Sequence, residues 1–207
     1  MLITEIKFVT YFVMVTLSFC SSCLMNLLQP FITLWVGKEN TLSDIFVLLL
    51  VVYFFIYEFT LLIGCYKDIS GKWHADRFRP LLTAIFNLIL NIIMVKYIGL
   101  YGVLLSTIIS FIIINIPWLY RRVFIDVFNE NDKYDYAIYL LKSFAVLLIC
   151  ILFSTIVCHS VNFNNSVLEI IVRLLIIIFI NIFVQLVFNR NNKEFERAIS
   201  LIKKVVS

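Results

Sequence analysis

Charged residues are scarce in this chain. Asp, Glu, Lys and Arg make up 14% of its 207 residues, whereas an average soluble domain contains about 25%. Hydrophobic residues make up 62%, and no polar stretch is long enough to form a soluble domain or a linker. This composition excludes a soluble monomer and predicts a polytopic membrane protein.

Histidines and recognisable catalytic motifs are also few. The two histidines are His74 and His159, and the sequence contains no HExxH motif, paired acidic metal motif, GxSxG motif or P-loop. His74 and Asp76 are close in sequence, but an interfacial loop explains them better than a catalytic dyad does. We therefore expect no enzyme activity, no metal site and no cofactor.

The five cysteines are poorly placed for disulfide bonds, because all of them lie within apolar stretches or at their edges. None is in a long exterior loop that a disulfide could cross-link. Cys20 and Cys23 have the spacing of a redox motif, but their position inside an apolar helix favours packing. We expect the cysteines to behave as small apolar residues.

Long apolar stretches are what the sequence has in abundance. Each is close to the roughly 20 residues that a helix needs to cross about 30 Å of hydrocarbon. They are continuously apolar, whereas the strands of a membrane barrel alternate over about 10 residues. The sequence therefore predicts an all-α fold in which residues 1–207 form one bundle of six transmembrane helices. The predicted spans are residues 8–36, 45–65, 81–98, 103–119, 138–157 and 167–188.

Basic residues are concentrated in alternate segments between the spans. Six spans place both termini on one side of the membrane. Of the 17 Lys and Arg residues, only Lys38 and Lys96 lie in segments on the opposite side, and Lys142 and Arg173 lie within spans. The positive-inside rule therefore predicts cytoplasmic termini in a bacterial inner membrane. The excess positive charge faces anionic lipid headgroups, so membrane lipids are expected partners and nucleic acid is not.

The segments between the spans differ in length. The outer turns are short, and the second contains Gly99 and Gly102, which tolerate the backbone of a close reversal. The inner segments 66–80 and 121–136 are longer, and solvated loops are favoured there over interfacial helices. The tail, residues 189–207, has apolar residues at helical spacing opposite basic ones. This pattern predicts an amphipathic helix on the inner leaflet.

Polar residues recur at helical spacing within the spans. A polar side chain that faces lipid is costly, so we expect these residues to face a cavity or a neighbouring helix. Interhelical hydrogen bonds are the more conservative interpretation, and a transport cavity is the alternative. Pro30 frees the backbone carbonyl of Asn26 and predicts a kink in the first helix. The uncharged candidates for a transport cavity are Asn26, Gln29, Asn87, Asn91, Asn181 and Gln185.

Two charged residues within the spans are stronger candidates. Glu58 lies roughly 20 Å from the outer end of the second span at 1.5 Å per residue. A carboxylate at that depth costs a few kcal/mol unless it is paired, hydrated or protonated. Arg173 lies nearer the outer end of the sixth span and could reach the interface or pair with Glu169, one turn away. Both residues are candidates for the transport cavity.

Several short motifs between residues 31 and 124 occur together. The stretch GKWHADRFRP at residues 71–80 is followed by TAIFNLILN, GLYGV and TIIS, and then by Pro117 and WLYRR. This order resembles the C-terminal half of the oligosaccharide-lipid flippases, the polysaccharide transporters of bacterial O-antigen and capsule synthesis. FITLWVG at residues 31–37 is similar to the end of the preceding helix in those proteins.

The resemblance implies membership of the multidrug/oligosaccharidyl-lipid/polysaccharide flippase superfamily, in which two six-helix bundles rock between inward-open and outward-open states. It implies that undecaprenyl-pyrophosphate-linked oligosaccharide is moved from the inner to the outer leaflet, usually with an ion gradient. Members contain two bundles, and the motifs resemble the second. The resemblance therefore implies that this chain is a fragment, the product of a broken reading frame, one half of a split transporter or a subunit that pairs with itself. The expected partner is therefore a second six-helix bundle, either an N-terminal half or a second copy.

Three other functions compete with this one. The chain could be half of a drug or metabolite antiporter of the same superfamily. A pyrophosphate needs cations in the cavity and a cationic drug needs carboxylates, and Arg173 and Glu58 do not decide between them. A non-transporting scaffold of polysaccharide assembly is the second alternative. A membrane-embedded transferase is the third, and the missing catalytic cluster disfavours it.

Overall fold

The protein is mostly helical in the part of the chain that the computed structural model describes, which is residues 2–69, 76–126, 130–161, 163, 165–190 and 192–206. No strand occurs among these residues. The helices are α1 (Leu2–Val36), α2 (Asp44–Ile69), α3 (Arg79–Ile98), α4 (Leu100–Ser110), α5 (Ile116–Asp126), α6 (Glu130–His159), α7 (Ser166–Asn189) and α8 (Lys193–Val206). A 3-10 turn, Lys38–Asn40, follows α1, and a π-helical turn, Phe111–Asn115, joins α4 to α5.

Six helical segments are long and apolar enough to cross a membrane, which confirms the prediction of an all-α polytopic protein. These segments are Ile3–Val36, Asp44–Tyr66, Arg79–Ile98, Leu100–Arg121, Lys133–His159 and Ser166–Asn189. The fourth runs through α4, the π-helical turn and the beginning of α5. The tail, which was predicted to be an amphipathic helix, forms α8. At about 1.5 Å per residue α8 is too short to cross the hydrocarbon.

The inner segments contain more helix than the sequence indicated. Most of 121–136 was predicted to be a loop, but α5 continues to Asp126 and α6 begins at Glu130. Lys, Glu and Arg have good helix propensity, so charge ends the apolar stretch without ending the helix. In the segment 66–80, α2 continues to Ile69 and α3 begins at Arg79. His74 lies outside the described residues.

The chain divides into two compact units. Unit 1 consists of Met1–Leu42 and Asp135–Ser207, and unit 2 consists of Ser43–Tyr134. Unit 1 therefore contains α1, most of α6, α7 and α8, and unit 2 contains α2 to α5. The prediction that all six spans form one bundle stays a prediction.

Three serines lie together on the buried face of α1 in unit 1. Ser18, Ser21 and Ser22 are fully buried, and α1 packs mainly against α7. Small residues allow two helix backbones to approach closely, which is how membrane helices associate when water supplies no driving force between them. On α6, Cys150 and Cys158 are also fully buried. None of the five cysteines forms a disulfide bond.

In unit 2, α3 and α4 form a tight hairpin that depends on two glycines. Gly99 adopts a φ of +58° between the helices, a conformation that glycine reaches without steric cost. A Cβ on Gly102 would lie 2.6 Å from the backbone carbon of Met94, so α4 approaches α3 where no side chain fits. The predicted close reversal between α3 and α4 is therefore confirmed. The Tyr101 hydroxyl also forms a hydrogen bond with the Ser43 hydroxyl, at 2.5 Å.

We predict that Gly102→Ala destabilises the protein by about 1–3 kcal/mol, because the new methyl group overlaps backbone atoms that cannot move aside easily. Gly64→Ala in α2 is the matched control, since a Cβ there meets nothing within 4 Å and alanine favours a helix. Thermal denaturation in detergent measures both variants. An equal loss in the two variants would contradict the proposed close contact.

Candidate functional site

Arg173 is the most extensively bonded charged residue of unit 1. Its Nη2 lies 2.6 Å from Oε1 of Glu169, one turn earlier on α7. Nη2 also donates to the carbonyl of Val161 at 3.0 Å, and Nη1 donates to the carbonyl of Asn26 at 3.1 Å. The side chains of Arg173 and Glu169 are 14% and 16% exposed. The predicted pairing with Glu169 is confirmed, and the guanidinium also joins α7 to α1.

Pro30 explains why the Asn26 carbonyl is available to Arg173. In a regular helix this carbonyl would accept the backbone N–H of the residue four positions later, but proline has no N–H. A buried carbonyl without a partner is costly, and Arg173 supplies the missing donor from another helix. α1 itself is one continuous helix from Leu2 to Val36, with Pro30 inside it.

Part of the polar stripe of α1 is hydrogen-bonded within unit 1, whereas the buried hydroxyl of Ser22 has no partner among the described residues. Ser18 donates to Oδ1 of Asn181 on α7 at 2.7 Å, and Asn181 donates to the carbonyl of Ile177 at 3.0 Å. Asn26 donates to the carbonyl of Ser22 at 2.8 Å. Asn26 and Asn181 are both buried. The Ser18–Asn181 contact is an interhelical hydrogen bond of the kind that the more conservative interpretation predicts, and the other two contacts lie within α1 and α7.

Gln29 and Gln185 also have partners within unit 1. The side-chain amide of Gln29 donates to the carbonyl of Leu42, and its oxygen accepts the Leu42 N–H at 3.1 Å. Gln29 therefore holds the chain that leaves α1. Gln185 is buried and accepts a hydrogen bond from Asn189 on the next turn of α7.

In unit 2, Asn91 connects α3 to α4, and Asn87 bonds Asn91 within α3. Asn91 donates to Oδ1 of Asn87 at 3.3 Å, and the buried hydroxyl of Ser106 donates to Oδ1 of Asn91 at 2.7 Å. Asn87 and Asn91 are half-buried. Both residues therefore stabilise the α3–α4 hairpin and remain partly accessible.

Glu58 is the exception among the candidate residues. It lies in the middle of α2 and is half-buried. Within the described part of the chain, its carboxyl group has no hydrogen bond and no ion pair. Its ring-bearing neighbours on the helix are Tyr57 and Phe59, and Tyr57 contacts Phe111 with a centroid distance of 6.0 Å.

A second charged cluster, in unit 2, was not predicted from the sequence. Arg79, at the start of α3, forms a bidentate ion pair with Asp76, with N–O distances of 2.8 and 2.9 Å. Arg79 also donates to Oδ1 of Asn115 in the π-helical turn. The i, i+3 spacing could have indicated the Asp76 pair, but no local signal indicates Asn115. Pro117, which cannot donate to Ile113, accounts for a disturbed helix at that point.

A cavity of about 280 Å³ lies at the end of unit 1 where α1 and α6 begin and α7 ends. Its side chains come from the start of α1, from α6, and from the region where α7 ends and α8 begins. These three parts of the chain are distant in sequence, which is why the sequence did not reveal the cavity. Three of the lining residues are lysines. The lining residues are Lys7, Asp135, Ile138, Tyr139, Lys142, Ser143, Asn189, Asn192, Lys193 and Glu194.

The described residues contain no group of three or more His, Cys, Asp or Glu that could hold a metal ion. Comparison with protein-family models, with curated proteins and with solved structures gives no match. The function must therefore be argued from the residues themselves. Asn26, Gln29, Arg173, Asn181 and Gln185 lie in unit 1. Glu58, Asn87 and Asn91 lie in unit 2.

We predict that Arg173→Met lowers stability by about 3–5 kcal/mol, because it leaves Glu169 buried without its counter-ion. Part of this loss comes from the Asn26 carbonyl. In a Pro30→Ala background, the backbone at position 30 regains an N–H that can donate to that carbonyl. The same Arg173 substitution should therefore cost about 1–3 kcal/mol less in this background.

A double-mutant cycle on these two positions, measured by thermal denaturation in detergent, isolates the coupling. Glu169→Gln serves as the control, because it removes the ion pair and leaves the Asn26 contact in place. If Arg173→Met costs the same with and without the Pro30→Ala substitution, then Arg173 does not replace the missing backbone donor.

Proposed function

We propose that this chain is one six-helix bundle of a bacterial inner-membrane transporter that moves lipid-linked oligosaccharide, the precursor of O-antigen or capsular polysaccharide, across the membrane. The substrate is undecaprenyl-pyrophosphate-linked oligosaccharide. The protein is not an enzyme and needs no cofactor. Both termini are cytoplasmic. The bundle works with a second one, because alternating access requires two bundles that move against each other.

The observation that carries this proposal is that the carboxyl group of Glu58, in the middle of α2, has no polar partner among the described residues. A scaffold protein has no reason to keep an acidic residue in the middle of a span, where it costs a few kcal/mol unless it is paired, hydrated or protonated. Glu58 is half-buried and has no polar partner among the described residues. Within the described residues nothing satisfies the carboxyl group, so water, a proton, a substrate or a polar group on a partner must do so, and a transport pathway would supply the first three.

The other candidate residues support the proposal because they have hydrogen-bond partners and Glu58 has none among the described residues. Asn26, Asn181 and Gln29 are hydrogen-bonded within their own unit, so helix packing accounts for them. Packing does not account for Glu58. The motifs that resemble oligosaccharide-lipid flippases, between residues 31 and 124, contribute the substrate class. A carboxyl group of this kind suits coupling to a proton gradient.

We predict that Glu58→Gln leaves folding and expression intact but removes the dependence of glycan export on the pH gradient, because glutamine cannot bind and release a proton. Export by the complete transporter is measured over a range of imposed gradients. Asp44→Asn is the matched control, since it removes an acid from the exposed end of the same helix and should keep the dependence. Unchanged gradient dependence in Glu58→Gln rejects the coupling role.

The orientation can be tested independently. In a variant without the five native cysteines, Glu39→Cys should react with a membrane-impermeant maleimide in intact cells, because residue 39 lies in an outer turn. Arg77→Cys should react only after permeabilisation. Both positions are exposed, so accessibility from one side decides the result. The reverse pattern would place the termini outside and contradict the proposal.

A further inference from the structure

We propose that the cavity at the end of unit 1 binds the phosphate of an anionic glycerophospholipid headgroup. This basic cavity is lined by Lys7, Lys142 and Lys193 together with side-chain amides. The proposal does not depend on the transport function, since a lipid can bind a membrane protein whether or not the protein moves a substrate.

Two of the three lysines are available for a ligand. Lys7 is already paired with Asp135 at 2.6 Å and is 16% exposed. Lys142 and Lys193 are exposed, and within the described residues neither has a hydrogen bond or an ion pair. Lys142 belongs to a membrane span, Lys133–His159. A cation at that position is favourable only if it reaches the headgroup region or meets an anion.

The amides of Asn189 and Asn192 supply neutral donors. Asn189 donates one N–H to Gln185, and Asn192 donates one to Asn189. A side-chain amide carries two N–H groups, so each has one left for a ligand. The hydroxyl protons of Tyr139 and Ser143 are used, because these groups donate to the carbonyls of Lys7 and Tyr139. The remaining donors are two ammonium groups and two amide N–H groups, which suit phosphate oxygens.

The acidic residues that line the cavity limit the negative charge of the ligand that it can bind. Asp135 is neutralised by Lys7, which leaves Lys142 and Lys193 against Glu194. The free charge is therefore positive by one unit, enough for a singly charged phosphodiester. Glu194 lies in the first turn of α8, where the helix dipole favours a carboxylate. It opposes an anionic ligand, so removing its charge should strengthen binding.

The size and surroundings of the cavity fit a headgroup. A volume of about 280 Å³ is at the lower limit of small-molecule sites, which span roughly 300–1,000 Å³. A phosphodiester headgroup fits, whereas an oligosaccharide does not. Leu141 on α6 and Phe188 on α7 are exposed next to lining residues, and they provide apolar surface for acyl chains. In the orientation that the positive-inside rule predicts, this end meets the inner leaflet.

Native mass spectrometry of the purified full chain in detergent tests the proposal, with phosphatidylglycerol as the anionic probe and phosphatidylcholine as the neutral one. We expect Lys142→Gln and Lys193→Gln each to weaken phosphatidylglycerol binding about tenfold, as loss of one charge-assisted contact predicts. Glu194→Gln should tighten it. Lys203→Gln is the matched control, because it removes the same charge from the exposed surface of α8 outside the cavity.

Three results would overturn the proposal. Equal weakening by Lys203→Gln would show attraction to the basic surface as a whole. Unchanged binding in both cavity lysine variants would show that the lipid binds elsewhere. Displacement of the lipid by inorganic phosphate at equal concentration would assign the cavity to free phosphate. Thermal stability of each variant is measured in parallel, so that a loss of binding is separated from a loss of fold.

Discussion

A polar group inside hydrocarbon finds no water, so the protein must supply its partner. The contact between Arg173 and the Asn26 carbonyl shows that this partner can come from another helix. Pro30 removes one backbone donor from α1, and a side chain on α7 replaces it at 3.1 Å. The same guanidinium neutralises Glu169 and holds the Val161 carbonyl. One missing N–H is thus met by a polar contact between α7 and α1, the Ser18–Asn181 hydrogen bond adds another, and the small serines of α1 make the close approach possible.

The same constraint separates the polar residues into two groups. Ser18, Asn26 and Asn181 have partners inside unit 1, so their polarity is explained by helix association. Glu58 and Lys142 have no such partner in the described part of the chain. Their polarity requires something from outside the unit, such as water, a proton or a phosphate. Glu58 and Lys142 are therefore distinguished by an unmet hydrogen-bonding requirement in an accessible side chain, whereas the unpartnered hydroxyls of Ser21 and Ser22 are buried.

The sequence predicts features that depend on local or summed properties. The six spans follow because hydropathy adds over about 20 residues, and the Arg173–Glu169 pair follows from i, i+4 spacing. The close turn at Gly99 and Gly102 follows from residue type. The extent of α5 and α6 was missed because charged residues end an apolar stretch without breaking a helix. The Arg79–Asn115 contact and the cavity were missed because their residues are distant in sequence and meet only through packing.

The basic cavity gives the tail helix, α8, a role in lipid binding, because Lys193 and Glu194 of α8 line the cavity. Arg197 of α8 forms a bidentate ion pair with Glu5 of α1, at 2.8 and 3.0 Å, and this contact raises the pKa of Arg197. Both side chains are exposed, and an exposed ion pair contributes little to stability. The pair therefore positions α8 without holding it firmly. A phosphate between Lys142 of α6 and Lys193 of α8 would add a further connection between the tail and the membrane-spanning helices. The position of α8 against α6 would then depend on the lipid composition of the membrane.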